Sequence, residues 1–194
     1  MQPHHHLIVG GQRSGKSRQA ERLAQAWLAA EPGHGVTVVA TATAWDDEMR
    51  ERIRRHQLER PAGFLTVEAP LHLAAALRQA DAPGQLLLVD CLTLWLTNWL
   101  FPAPDAELSP LSEADRLTAW RAARDELLAT LPTLQGRVVA VSNEVGWGVI
   151  PMSAGVRAYV DELGWLNQAV ARWCGQLTLM VAGQAWTRPV EEQA

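Results

Sequence analysis

The chain has 194 residues, 48% of them apolar, enough for a sizeable hydrophobic core and short enough for one domain. Its 17 basic and 21 acidic residues give a net charge of -4, which argues against a protein that coats nucleic acid. The two cysteines, Cys91 and Cys174, match neither a disulfide framework nor a metal spacing; they read as reduced thiols of a cytoplasmic protein.

Met1-Gln2-Pro3-His4-His5-His6 lacks the charged region that opens a signal peptide, and its histidines read as a frayed segment with no role. Leu7-Ile8-Val9 is the first predicted strand, followed by a helix over 16–30. A second strand spans Val36 to Ala40, and a second helix 46–58. Phe64 to Val67 is a weaker strand pattern, suited to a sheet edge, and precedes a helix over 71–80. Leu86 to Val89 is then a buried strand and 91–100 a helix. Together they form an apolar stretch near membrane-span length, but Asp90 and Asn98 interrupt it, and Asp90 would be costly in a bilayer core.

Pro102 and Pro104 mark a surface loop before Ser112, which suits the N-cap of a helix over 112–131. Val138 to Val141, a helix over 156–173 and Leu177 to Val181 complete the order. Such alternation predicts an α/β fold, a mostly parallel sheet with helices on both faces. No repeat or linker divides residues 1–194, so one nucleotide-binding domain is expected. Nine tryptophans are unusual beside one tyrosine and two phenylalanines. Trp95 and Trp99, four residues apart, share a helix face suited to packing or subunit contact.

The first strand runs into Gly10-Gly11-Gln12-Arg13-Ser14-Gly15-Lys16-Ser17, which fits G-x-x-x-x-G-K-[ST] at every fixed position. Glycines let the backbone curl around phosphate oxygens with successive N–H groups pointing inward. The following helix adds the partial positive charge of its N-terminus. Lys16 is placed for the β- and γ-phosphates of a nucleoside triphosphate, and Ser17 for Mg²⁺. Leu86-Leu87-Leu88-Val89-Asp90 is an apolar strand ending in an acid, so Asp90 is the candidate metal-side carboxylate. The alternative is a strand-end acid that caps the next helix.

Asp46-Asp47-Glu48 opens the second helix, and Arg50, Arg52, Arg54, Arg55 and Arg60 follow. Met49, Ile53 and His56 fall on one helix face. Spacing alone leaves His56 as either a half-buried histidine in a solvated basic helix or a nucleophile beside arginines that hold phosphate. Surrounding arginines would favour its neutral, nucleophilic form.

With these motifs the sequence resembles the bifunctional adenosylcobinamide kinase/adenosylcobinamide-phosphate guanylyltransferase family of cobalamin biosynthesis. The resemblance spans nearly the whole chain. It rests on the phosphate loop, Ala40-Thr41-Ala42, and Asp46-Asp47-Glu48-Met49 with Arg52-Ile53, His56, Arg60 and Pro61. It continues through Glu68, Val89-Asp90-Cys91, Asn143-Glu144-Val145-Gly146, Gly148-Val149-Ile150-Pro151 and Asn167-Gln168. The resemblance implies a RecA-like P-loop fold and a homotrimer. It also implies phosphorylation of adenosylcobinamide by ATP or GTP, then transfer of GMP from GTP to the new phosphate through a guanylylated histidine.

By that likeness the histidine is His56, and GTP is contacted by the phosphate loop, Ala40, Thr41, Gln57, Leu58, Glu59, Arg60, Glu68 and Asp90. Arg55 stands where some members carry a second histidine, and Asp90 where some carry Glu. Gln57-Leu58-Glu59 is less polar than the matching stretch in some members. The expected partners are a corrinoid and a nucleotide, with no nucleic acid and no membrane span. Two other readings of the motifs remain: a RecA-type switch or motor module, and a small-molecule kinase in which His56 has no covalent role.

Overall fold

The computed structural model describes residues 5–191, apart from the side chains of Arg52 and Glu59; His4 lies outside the described residues. One sheet organises the chain. Its strands are β1 (His5–Gly10), β2 (Gly35–Ala40), β3 (Phe64–Glu68), β4 (Gln85–Asp90), β5 (Arg137–Val141), β6 (Cys174–Val181) and β7 (Gln184–Pro189). They lie in the order β3-β2-β4-β5-β1-β6-β7. Every neighbouring pair is parallel except β6 and β7. The phosphate-loop strand β1 and the acid-bearing strand β4 are thus separated by β5, the arrangement expected of a RecA-like P-loop domain.

Six helices connect the strands: α1 (Lys16–Ala30), α2 (Asp47–Glu59), α3 (Leu73–Ala80), α4 (Leu92–Leu100), α5 (Glu113–Thr130) and α6 (Ala154–Ala171). The central strands are buried on both faces, as in parallel sheets generally. Leu86 and Leu88 point to the α1 side, where they meet Ala20 and Ala24. Leu87 and Val89 point to the other face, where Leu73, Leu96, Trp120 and Leu163 bring in α3, α4, α5 and α6. The apolar stretch from Leu86 to Phe101 is therefore β4 plus the core helix α4, and no described helix is long and apolar enough to cross a membrane.

Trp95 and Trp99 are both buried within the chain. Trp95 packs edge-on against Trp120 at 4.8 Å and donates its indole N–H to the Leu71 carbonyl at 2.8 Å.

Two expectations are corrected. His5 and His6 are not frayed: both are buried in β1. His5 donates from Nε2 to the Leu131 carbonyl at 2.9 Å and accepts the Val138 N–H on Nδ1 at 3.1 Å, so both ring nitrogens serve strand packing. His6 Nε2 lies 2.7 Å from the Thr178 hydroxyl. Burial and nearby Arg137 push the His6 imidazole down to about 4, so it is neutral at pH 7. The second correction is β7, an exposed antiparallel strand absent from the predicted order. Ala182 (φ 50°) and Gly183 (φ 79°) make the two-residue turn that leads into it. Positive φ at both positions fits a type I′ hairpin.

Candidate active site

The sheet register brings the predicted residues to one edge. Across neighbouring strands Glu68 pairs with Ala40, Ala40 with Asp90, Asp90 with Val141 and Val141 with Ile8. Glu68, Ala40 and Asp90 therefore stand in one row at the carboxyl ends of their strands, and the phosphate loop begins two residues beyond Ile8. Ligands of open α/β sheets bind at this edge. A cavity of about 940 Å³ opens there.

Gln12, Arg13, Ser14, Gly15, Lys16 and Ser17 line the cavity from the loop side. Gly10 and Gly11 lie outside its lining and shape the turn. A Cβ on Gly10, at φ 156°, would sit 2.4 Å from the Met180 carbonyl oxygen, so the close approach of β6 excludes any side chain. Gly15 caps α1 in the left-handed region, at φ 99°. No acidic side chain occupies the first turn of α1, which leaves the positive end of the helix open to phosphate. Lys16 is buried and donates to the Gly11 carbonyl at 2.6 Å, which folds its ammonium back over the loop.

The unexpected hairpin serves this loop. Gly183, at its turn, donates to the Ser14 carbonyl at 3.0 Å and itself lines the cavity. From β5, the Ser142 N–H reaches the Ile8 carbonyl at 2.9 Å and the Glu144 N–H reaches the Gly10 carbonyl at 3.2 Å. Asn167 then holds this exit, donating from Nδ2 to the Asn143 carbonyl at 3.0 Å and to the Glu144 carboxylate at 3.1 Å.

Asp90 lines the cavity at the end of β4. The backbone beside it is held by Thr41, which is fully buried and outside the cavity lining. The Thr41 hydroxyl donates to the Cys91 carbonyl at 2.8 Å and accepts the Cys91 N–H at 2.9 Å. Thr41 thus fixes the strand exit, and its neighbour Ala40 reaches the cavity.

Helix α2 forms the opposite wall. Asp46 caps it, accepting the Met49 N–H at 2.7 Å, and Asp47 and Glu48 suit its first turn. Met49, Ile53 and His56 are half-buried and all line the cavity, as their spacing of four and three residues requires. None of the described side chains of α2 is fully buried, so the helix stands off the sheet against open space. The arginines divide. Arg50 and Arg54 pair with Asp47 and Glu51 on their own helix, whereas Arg55 and Arg60 line the cavity. Arg60 also donates to the Thr66 hydroxyl of β3. Gln57 lines the cavity, Leu58 is exposed outside it, and the side chain of Glu59 lies outside the described part.

Several lining residues carried no motif of their own. Gly183 could have been found from the Ala-Gly turn pair, but Thr93, Thr97 and Tyr159 have no local signal. They meet only because α4 packs beside α6. Tyr159 donates to the Thr93 carbonyl at 3.2 Å, and its hydroxyl lies 3.1 Å from that of Thr97.

Known proteins match this chain over nearly its whole length. The family described as cobinamide kinase / cobinamide phosphate guanyltransferase matches residues 6–187. The bifunctional adenosylcobalamin biosynthesis protein CobP of Pseudomonas aeruginosa is 50% identical over 177 residues, covering 91% of this chain and 92% of that protein. The bifunctional adenosylcobalamin biosynthesis proteins CobU of Salmonella typhimurium and Escherichia coli are 37% and 34% identical, each over 91% of this chain and 95% of their own length. Among solved structures, the flagellar accessory protein FlaH of Methanocaldococcus jannaschii aligns with a TM-score of 0.44 at 14% identity, covering 95% of this chain and 76% of that one. A solved ATPase domain aligns with a TM-score of 0.47, also at 14% identity, covering 91% of this chain and 69% of that one.

Proposed function

The chain belongs to the cobinamide kinase/cobinamide phosphate guanyltransferase family, and on that ground we infer that it phosphorylates adenosylcobinamide and then guanylylates the product. One observation supports both reactions at one site: the phosphate loop, Asp90 and His56 line a single cavity. The whole chain acts as one nucleotide-binding domain.

In the first reaction the corrinoid hydroxyl attacks the γ-phosphorus of ATP or GTP, and the nucleoside diphosphate leaves. The loop N–H groups and Lys16 stabilise the charge spread over the phosphoryl oxygens. In the second, a ring nitrogen of His56 attacks the α-phosphorus of GTP, forming a phosphorus–nitrogen bond as pyrophosphate departs. An oxygen of the corrinoid phosphate then displaces His56, which regains its free ring. Splitting one displacement into two lowers each barrier. Arg55 and Arg60 stand on the His56 wall, where they can neutralise phosphate charge.

Ser17 and Asp90 offer a hydroxyl and a carboxylate to the same cavity. Such hard oxygen donors fit Mg²⁺, and Ser17 and Asp90 would hold the ion there. When bound there, the ion neutralises phosphate charge. Gln57, Arg60, Glu68 and Ala40 surround the remaining nucleotide, and Thr41 supports it from behind. The enzyme works in the cytoplasm as a homotrimer and acts on small molecules, not nucleic acid.

The decisive experiment uses GTP and Mg²⁺ without corrinoid. Label in the α-phosphate should stay on the protein, label in the γ-phosphate should not, and His56→Ala should abolish the adduct while keeping part of the kinase activity. Retained α-label on His56→Ala would place the nucleophile elsewhere.

A further inference from the structure

The segment between β5 and α6 is unusually apolar for uncovered chain. Trp147 is 72% exposed, Val149 94%, Ile150 76% and Met152 95%. Four large apolar side chains within six residues form the kind of surface that marks a binding site. The segment is anchored at both ends. Asn167 holds Asn143 and Glu144, and Arg157 donates to the Pro151 carbonyl at 2.9 Å and the Met152 carbonyl at 2.6 Å. It is an arch with fixed feet and bare apolar side chains.

The chain on either side of the arch reaches the cavity wall. Asn143, four residues before Trp147, lines the cavity, and so does Tyr159 in α6, seven residues after Met152. Charge divides the cavity. Arg13, Lys16 and Arg18 lie on the phosphate-loop side, and Arg55 of α2 and Arg60 just past it face them beside Glu48 and Glu51, whereas the α4 and α6 wall offers the uncharged Thr93, Leu94, Thr97 and Tyr159. A triphosphate belongs against the cations. The neutral wall and the arch are left for the second substrate.

We propose that the arch from Trp147 to Met152, continued by Thr97 and Tyr159, is the landing surface for the corrin ring of the acceptor. This rests on the corrinoid reading of the site. A corrin is broad, with apolar faces and an amide-bearing rim, and is too large to enter beside a nucleotide. Seated on the arch, it stays outside while its hydroxyl-bearing tail passes along Tyr159 toward the phosphate loop. The same seat serves both reactions, since only the end of the tail changes between them.

The test is the double variant Val149→Ser with Met152→Ser. Both side chains are almost wholly exposed, so the fold does not depend on them. The KM for adenosylcobinamide should rise about tenfold or more, with the KM for GTP and the α-phosphate labelling of the protein unchanged. Val149→Leu with Met152→Leu, which keeps the apolar area, should retain the original KM. An unchanged acceptor KM in the serine variant overturns the proposal. So does a smaller sedimenting particle, which would make the arch a contact between copies of the chain. If the unaltered protein turns over no adenosylcobinamide, the corrinoid reading itself fails; normal turnover with an unchanged variant KM removes only the arch.

Discussion

Thr41 illustrates how a fully buried residue can fix the backbone at a cavity edge. Its hydroxyl satisfies both backbone groups of Cys91, directly beside Asp90. Thr41→Val keeps the shape, orphans the buried Cys91 N–H and leaves the Cys91 carbonyl with the Trp95 N–H at 3.1 Å as its partner, so stability should fall by about 1–3 kcal/mol in urea unfolding. Asp90 itself has two accounts, metal-side carboxylate and helix cap. The N-cap residue of α4 is Cys91 and not Asp90. Asp90→Asn removes charge at constant shape and should move the Mg²⁺ requirement to higher concentration. An unmoved metal titration would leave Asp90 with a structural role alone. Helix periodicity places His56 correctly on the Met49–Ile53 face, but no spacing rule says that this face opens onto the phosphate loop.

Among the elements, β1 and α2 behave oppositely. In sequence β1 reads as a short apolar strand with a loose histidine lead, yet its first two residues are core. Histidine in a strand gives no apolar signal, and the partners that hold these rings, Leu131, Val138 and Thr178, are more than a hundred residues away. The pushed-down His6 ring has a consequence for pH. Its folded value is about 4 against an ordinary 6.5, so in that window the unfolded chain binds the proton and the folded chain does not. Stability is therefore complete above about pH 6.5 and declines as pH falls toward 4. Urea midpoints at pH 7 and pH 5 should differ, and His6→Gln should reduce that difference. Helix α2, by contrast, is legible from end to end, because its Asp46 cap and acidic first turn are local signals.

Across the whole molecule, one buried carboxylate ties α6 to α5 on the far face of the sheet. Glu162 of α6 is 1% exposed and accepts from the Trp120 indole at 2.9 Å and from Arg121 at 2.8 Å, with Arg124 at 3.3 Å. Glu162→Gln leaves these donors short of an acceptor in a dry site and should cost roughly 2–4 kcal/mol. Glu126 pairs with Arg78 at 2.7 Å, but both side chains are about half exposed to solvent. Glu126→Gln should therefore cost less than about 1 kcal/mol. Equal losses in urea unfolding would refute the distinction.

Features that depend on near neighbours can be read from the chain without its fold. The phosphate loop, the strand ending in Asp90, the order of the parallel units and the face carrying His56 are all written in short spacings and local turn chemistry. Features that depend on distant residues were settled by packing. Packing made cavity walls of Thr93, Thr97 and Tyr159, set Gly183 against Ser14, and buried His5 and His6. It also committed the Thr41 hydroxyl to Cys91 and divided the arginines of α2 between their own helix and the cavity. Periodicity records which side of an element is apolar, whereas a site is made by which elements the sheet order sets side by side, and that order is fixed by the packing of the whole chain.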